Sequence, residues 1–154
     1  MAEGRGCEAP GLIAKAVVLD TDVVSILLKP DDTRYALYRP RILPFNVLMV
    51  SFQTVAELRR WTIIKKWGTV RRAKLDEFLG NCRIVPVSEP LVTKWAEVTS
   101  YAKEHGKGLE GPDAWIASTA LIYRIPLASH NRADFEWMRE LGLDLICEAP
   151  PLGA

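Results

Sequence analysis

The chain is 154 residues long, enough for one domain with a substantial core and too short for two comfortable ones. Its 49% apolar and 25% charged residues match an ordinary soluble globular protein. A net charge of +1 exerts no global pull on nucleic acid, so any such partner must be gripped by local patches of Lys and Arg.

Residues 1–13 are small and polar without periodicity and predict a frayed extension ahead of one domain over 14–148; residues 149–154 predict a similar tail. The apolar run GLIAKAVVLD is broken by Lys15, closes on Asp20 and lacks the basic flank of a secretory signal, and no segment approaches the length needed to cross a bilayer. Cys7, Cys82 and Cys147 are odd in number, far apart and without CxxC spacing. They read as reduced thiols, with neither a disulfide frame nor a zinc site, and a cytoplasmic location is the expectation.

KAVVLD, ending at Asp20, is the short apolar run of a buried parallel strand. A helix follows through DVVSILLK and stops before Pro30. The Pro-punctuated DDTRYALYRPRILPFN predicts a short irregular helix, and VLMVS, ending at Ser51, a second strand. TVAELRRWTIIKKW has the apolar spacing of an amphipathic helix, as does TVRRAKLDEFLGN after Gly68. RIVPV is a strand whose Pro86 argues for an edge or a strand end. Ser88 caps a long helix that tolerates Pro90 in its first turn and ends near His105 and Gly106. PDAWIASTALIY is a buried helix rich in small residues, PLASH a strand, NRADFEWMREL a helix and LDLIC a last strand. Alternating units of this kind predict a three-layer α/β/α domain on a mostly parallel sheet.

Four carboxylates, Asp20, Glu57, Asp113 and Asp134, each fall where a strand hands over to a helix. In a parallel sheet those turns gather outside the carboxyl ends of the strands, so the four are expected in one crevice. Crowded carboxylates repel one another unless a hard cation binds between them, and an all-oxygen set without a His or Cys cluster suits Mg²⁺ or Mn²⁺. Such an ion polarises water and stabilises charge on a phosphate oxygen, which points to a hydrolase acting on phosphodiesters. Each residue also has a local explanation. Thr54 and Glu57 have capping-box spacing, Asp113 lies in a first helical turn after Gly111-Pro112, Asp134 stands three residues past Asn131, and Asp22 could cap the first helix. Asp20 is the hardest to explain locally, because a lone charge ending a buried strand is costly.

VVLDTDVVS, SFQTVAELRRW and GPDAWIASTALIYRIPLASHNRADF together resemble the PIN-domain ribonucleases, and specifically the VapC-type toxins of bacterial toxin–antitoxin pairs. The likeness runs over roughly residues 15–148. It implies a PIN-like fold in which Asp20, Glu57, Asp113 and Asp134 bind Mg²⁺ or Mn²⁺ and carry catalysis, with Asp22, Ser129 and Asn131 shaping the site. Asp22 stands where the family often has Asn, Ser129 where Thr is common, and His130 at a variable position; Glu110 could supply an extra acidic group that some relatives carry. The resemblance further implies an endoribonuclease on single-stranded RNA that leaves 5′-phosphate and 3′-hydroxyl ends. A homodimer is implied too, as is a cognate antitoxin whose extended C-terminal segment obstructs the acidic pocket.

Single-stranded RNA needs cations for its phosphates and flat surfaces for its bases. Arg34, Tyr35, Tyr38, Arg39 and Arg41 offer both in one segment, and Arg59, Arg60, Trp61, Lys65, Lys66 and Trp67 in another. The alternative is that the tryptophans face the core or a subunit interface and the cations are the wet side of helices. Two rival functions stand beside the ribonuclease. DTDVV also fits the nucleophile loop of a haloacid-dehalogenase-type phosphatase, which leaves Glu57 unexplained, and a PIN-like protein could grip RNA without cutting it.

Overall fold

The computed structural model describes residues 15–109 and 111–153; the expected extension over 1–13, Cys7 and Glu110 lie outside the described residues. Five strands form one sheet: β1 (Ala16–Leu19), β2 (Val47–Ser51), β3 (Arg83–Val85), β4 (Leu127–Ala128) and β5 (Leu145–Ile146). Their spatial order is β3-β2-β1-β4-β5, and every neighbouring pair is parallel.

The sequence of β1 shows why it lies at the centre. Val17, Val18 and Leu19 are all fully buried, as a strand covered on both faces requires. Val17 and Leu19 join one core cluster with Val50, Ala128 and Ile146, while Val18 joins another with Met49, Leu127 and Leu145. The strands therefore alternate between two separate cores, one on each face of the sheet. The first core is closed by α1 (Thr21–Leu27), α2 (Tyr35–Ile42), α3 (Phe52–Ile64) and α4 (Thr69–Gly80). The second is closed by α6 (Gly111–Tyr123) and the segment of α7 (Arg132–Phe135). Outside α6 lies α5 (Glu89–Glu104), in extensive contact with it. The expected three-layer parallel α/β architecture is the one observed.

Local signals place most boundaries. Ser88 Oγ accepts the Leu91 N–H at 3.3 Å and starts α5. That helix closes on Gly106, whose φ of 61° allows the Lys107 N–H to reach the Ala102 carbonyl at 2.8 Å. β3 stops before Pro86 at one sheet edge, as the proline requires.

Three expectations are corrected. PLASH and LDLIC supply only the two-residue ladders of β4 and β5, because Pro126 has no N–H to give and β5 is an edge. NRADFEWMREL is not one α-helix; α7 ends at Phe135 and a 3-10 turn runs from Glu136 to Leu141. Three residues per turn aligns Phe135 and Met138, both fully buried, on the same core. Finally, α3 begins at Phe52 with Ser51 as its cap, since Ser51 Oγ accepts the Gln53 N–H at 3.2 Å. Thr54 is thus inside the helix, and Glu57 belongs to no capping box.

Candidate active site

The chain runs β1-β2-β3 outward, then returns to place β4 on the other side of β1. That reversal opens a crevice at the carboxyl ends of β1 and β4, where side chains from distant segments meet. Asp20 follows β1 directly, and Ser129, His130 and Asn131 follow β4.

Asp20 is 5% exposed, and both its oxygens are engaged. Oδ1 accepts the Thr21 N–H at 2.7 Å, which makes Asp20, rather than Asp22, the cap of α1. Oδ2 accepts the Ser129 hydroxyl at 2.6 Å, and Ser129 Oγ in turn accepts the Asn131 N–H at 3.0 Å. Asp22 lies in the first turn of α1, where its Oδ2 accepts the His130 N–H at 3.0 Å. Its Oδ1 is buried without a hydrogen-bond partner. A buried, unsatisfied carboxylate oxygen beside a second buried carboxylate is an expensive arrangement for a protein to keep.

The electrostatics agree. Burial raises the Asp20 carboxyl well above the ordinary carboxylate range, and the charges of Asp22 and Asp113 push the same way; the hydrogen bonds from Ser129 and Thr21 offset this only in part. Asp22 is raised as well, chiefly by burial and against the stabilising His130 N–H. Asp113, the third residue of α6, is thereby within electrostatic reach of Asp20. Three of the acidic residues singled out above, Asp20, Asp22 and Asp113, therefore share one field.

The other two are less directly joined. Asp134 is held by Asn131, whose Nδ2 donates to Asp134 Oδ2 and whose Oδ1 caps α7 by accepting the Asp134 N–H at 3.4 Å. The link to Asp20 runs through Asn131 and Ser129. Glu57 accepts from Gln53 Nε2 at 3.2 Å, one turn beyond Thr54, whose hydroxyl meets that of Thr21 at 3.3 Å. Among the described residues, no three His, Cys, Asp or Glu side chains stand close enough together to enclose an ion unaided.

Sequence reasoning missed two parts of this site. The first is the His130 main-chain N–H on Asp22, which no side-chain identity could announce. The second is Tyr38, proposed as an RNA contact; it is fully buried, and its hydroxyl lies 2.8 Å from His130 Nδ1. Of the other candidate RNA contacts, Trp67 is buried beneath the Arg71 guanidinium at 3.7 Å, Arg34 is clasped by Asp32 and Arg59 by Asp76. Arg39, Arg60, Lys65 and Lys66 remain exposed.

The family model of the PIN domain matches residues 17–140. The chain belongs to the PIN-domain family. As a PIN domain it is 32% identical over 127 residues to Toxin FitB of Neisseria gonorrhoeae, covering 77% of this chain and 90% of that protein. It is 29% identical over 136 residues to VapC ribonuclease Y4jK of Sinorhizobium fredii, covering 84% and 95%. The crystal structure of VapBC2 from Rickettsia felis, bound to a DNA fragment from their promoter, superposes with a TM-score of 0.73 at 22% identity, covering 86% of this chain and 98% of that one. This last likeness speaks to the fold alone.

Proposed function

We propose that this PIN domain is a metal-dependent endoribonuclease that cuts single-stranded RNA in the cytoplasm and is held in check by a cognate antitoxin. One observation carries the reading: two carboxylates, the buried Asp20 and the half-buried Asp22, stand side by side at the switch point of the sheet with Asp113 in reach and one buried Asp22 oxygen left without a partner. The relatives named as a toxin and as a VapC ribonuclease support it.

The residues present fit Mg²⁺ or Mn²⁺. The donors are all oxygen, burial destabilises both carboxylates, the charges of Asp22 and Asp113 add to this at Asp20, and the orphaned Asp22 Oδ1 is available to a cation. Mg²⁺ is commonly held by one or two carboxylates, its remaining positions going to water and phosphate oxygens. Asp20, Asp113, Glu57 and Asp134 are the proposed metal-binding set, with Asp22 beside them; since no three acidic side chains among the described residues enclose an ion unaided, water and substrate phosphate oxygens would complete its coordination. When bound, the ion would polarise a water for attack and stabilise charge on the scissile phosphate. The chain's own part is orientation. Ser129 holds one Asp20 oxygen and Thr21 the other, so the carboxylate cannot rotate, while Asn131 aims Asp134.

Exposed Arg39, Arg60, Lys65 and Lys66 are proposed to meet the RNA phosphates, and exposed apolar side chains such as Ile63 and Ile64 of α3 are proposed to serve a homodimer. The test is cleavage of a single-stranded RNA by the purified protein with Mn²⁺. The expected products carry 5′-phosphate and 3′-hydroxyl ends, and Asp113→Asn should abolish them. An Asp113→Asn protein that cuts at the wild-type rate would remove Asp113 from the site.

A further inference from the structure

We infer that Tyr38 of α2, which lies outside all the acidic motifs, is a positioning residue of the active site and works through its hydroxyl. The inference rests on the ribonuclease reading above. Tyr38 has no exposed surface, and its ring packs in the first core with Val17, Leu19 and Ile146. Its hydroxyl emerges where three chain segments meet. It accepts the Glu148 N–H at 3.0 Å, reaches the Ser129 carbonyl at 3.2 Å and lies 2.8 Å from His130 Nδ1.

A phenol has one proton and can accept two hydrogen bonds. Glu148 takes one acceptor position. All three contacts are satisfied together only when the phenol proton goes to the Ser129 carbonyl and His130 Nδ1–H donates to the remaining position. The network thus assigns the Nδ1–H form to His130, whose ring stands edge-on to Tyr38 at 5.6 Å.

Two consecutive residues are therefore gripped from both sides. Ser129 gives its hydroxyl to Asp20 and its carbonyl to Tyr38. His130 gives its main-chain N–H to Asp22 and its ring to Tyr38. The turn is tied to the sheet by the Ser129 N–H on the Ile146 carbonyl at 3.0 Å and closed by the Arg132 N–H on the His130 carbonyl at 3.2 Å, while the Ser129 carbonyl and the His130 ring meet Tyr38. Tyr38 fixes those, and with them the heights of Ser129 Oγ and His130 N–H above the two carboxylates. Partners that orient ligating groups in this way act on metal affinity and rate rather than on substrate binding.

The test is Tyr38→Phe, which keeps the ring and removes only the hydroxyl. Mn²⁺ affinity is read by calorimetry, RNA cleavage by kcat and KM, and the His130 protonation site by ¹⁵N NMR of the neutral imidazole. Y38F should melt cooperatively, bind Mn²⁺ and turn over about 10-fold or more less well, the range for losing such an orienting partner. Its KM should stay within about twofold, because the RNA itself is not touched, and the His130 proton should shift from Nδ1 toward Nε2. If Y38F does not fold, His130→Ala, which retains the phenol and removes one of its partners, must also weaken Mn²⁺ binding; unchanged affinity would overturn the inference. Wild-type protein that neither binds Mn²⁺ nor cuts RNA overturns the ribonuclease reading and the role of Tyr38 with it. Wild-type protein that does both, beside a Y38F variant equal to it in affinity, kcat and His130 protonation, overturns only the role of Tyr38.

Discussion

Replacing Asp20 with Asn separates the site's function from its stability, because the two should move in opposite directions. Asp20 is 5% exposed and accepts two short hydrogen bonds, from Thr21 N at 2.7 Å and Ser129 Oγ at 2.6 Å. An amide in its place keeps the shape but can accept only the Thr21 N–H; its nitrogen must donate to Ser129 Oγ, so that hydrogen bond reverses, and both lose their charge assistance, about 1 kcal/mol each. Against this stand the burial of the carboxylate and its repulsion by Asp22 and Asp113. The raised pKa of Asp20 means that these outweigh the hydrogen bonds. Without metal at pH 7, Asp20→Asn should therefore be more stable than wild type, by about 1–4 kcal/mol, the range seen when buried ionic groups give way to neutral ones of similar volume. In a chain of this size that is roughly 2–4 °C of Tm for each kcal/mol. RNA cleavage should vanish in the same preparation. The assay is a pair of melts in EDTA beside a cleavage reaction with Mn²⁺. A variant less stable than wild type in EDTA that still cuts RNA would refute the reasoning.

The pH dependence follows from the same groups. Because Asp20 and Asp22 titrate higher in the folded chain than unfolded, metal-free stability should be unaffected by them below about pH 4, fall as pH rises toward their folded pKa values and then level off. Asp32, held low by its hydrogen bonds from Arg34, acts in the opposite sense as acid is added. The difference in Tm between wild type and Asp20→Asn cancels that contribution and should widen from pH 4 to neutrality; a constant difference would contradict the assigned direction. Ser129→Ala removes the hydroxyl that donates to Asp20 and accepts from Asn131, and should cost about 1–3 kcal/mol. Since that hydrogen bond lowers the Asp20 pKa, its loss should also weaken Mn²⁺ binding at pH 6 more than at pH 8, and calorimetry at the two values checks this.

Much of this architecture can be read locally. The runs at β1 and β2 are apolar at successive positions, which only a strand covered on both faces needs. A carboxylate closing such a run, as Asp20 does, is expensive enough to demand an explanation. Ser88 and Asn131 announce their helices because a cap is a contact within four residues. What was not legible depends on distance. Thr54 and Glu57 have the spacing of a capping box, but α3 starts where β2 ends its pairing with β3, at Ser51. On sequence Asp22 is the cap candidate for α1; its contact with the His130 N–H, 108 residues on, leaves that role to Asp20. Tyr38 sits among arginines and prolines, the setting of an exposed aromatic, and only the hydroxyl's contact with Ser129, 91 residues away, shows it to be internal.

The most direct measurement is cleavage of single-stranded RNA by wild-type protein in EDTA, then after Mg²⁺ or Mn²⁺ is returned in excess. A cation held by the buried carboxylates at the end of β1 predicts no cleavage in the chelator and full recovery on return of the ion, together with a rise in Tm, because a ligand bound only by the folded chain stabilises it. Undiminished cleavage in EDTA, or a Tm that neither ion moves, would contradict it.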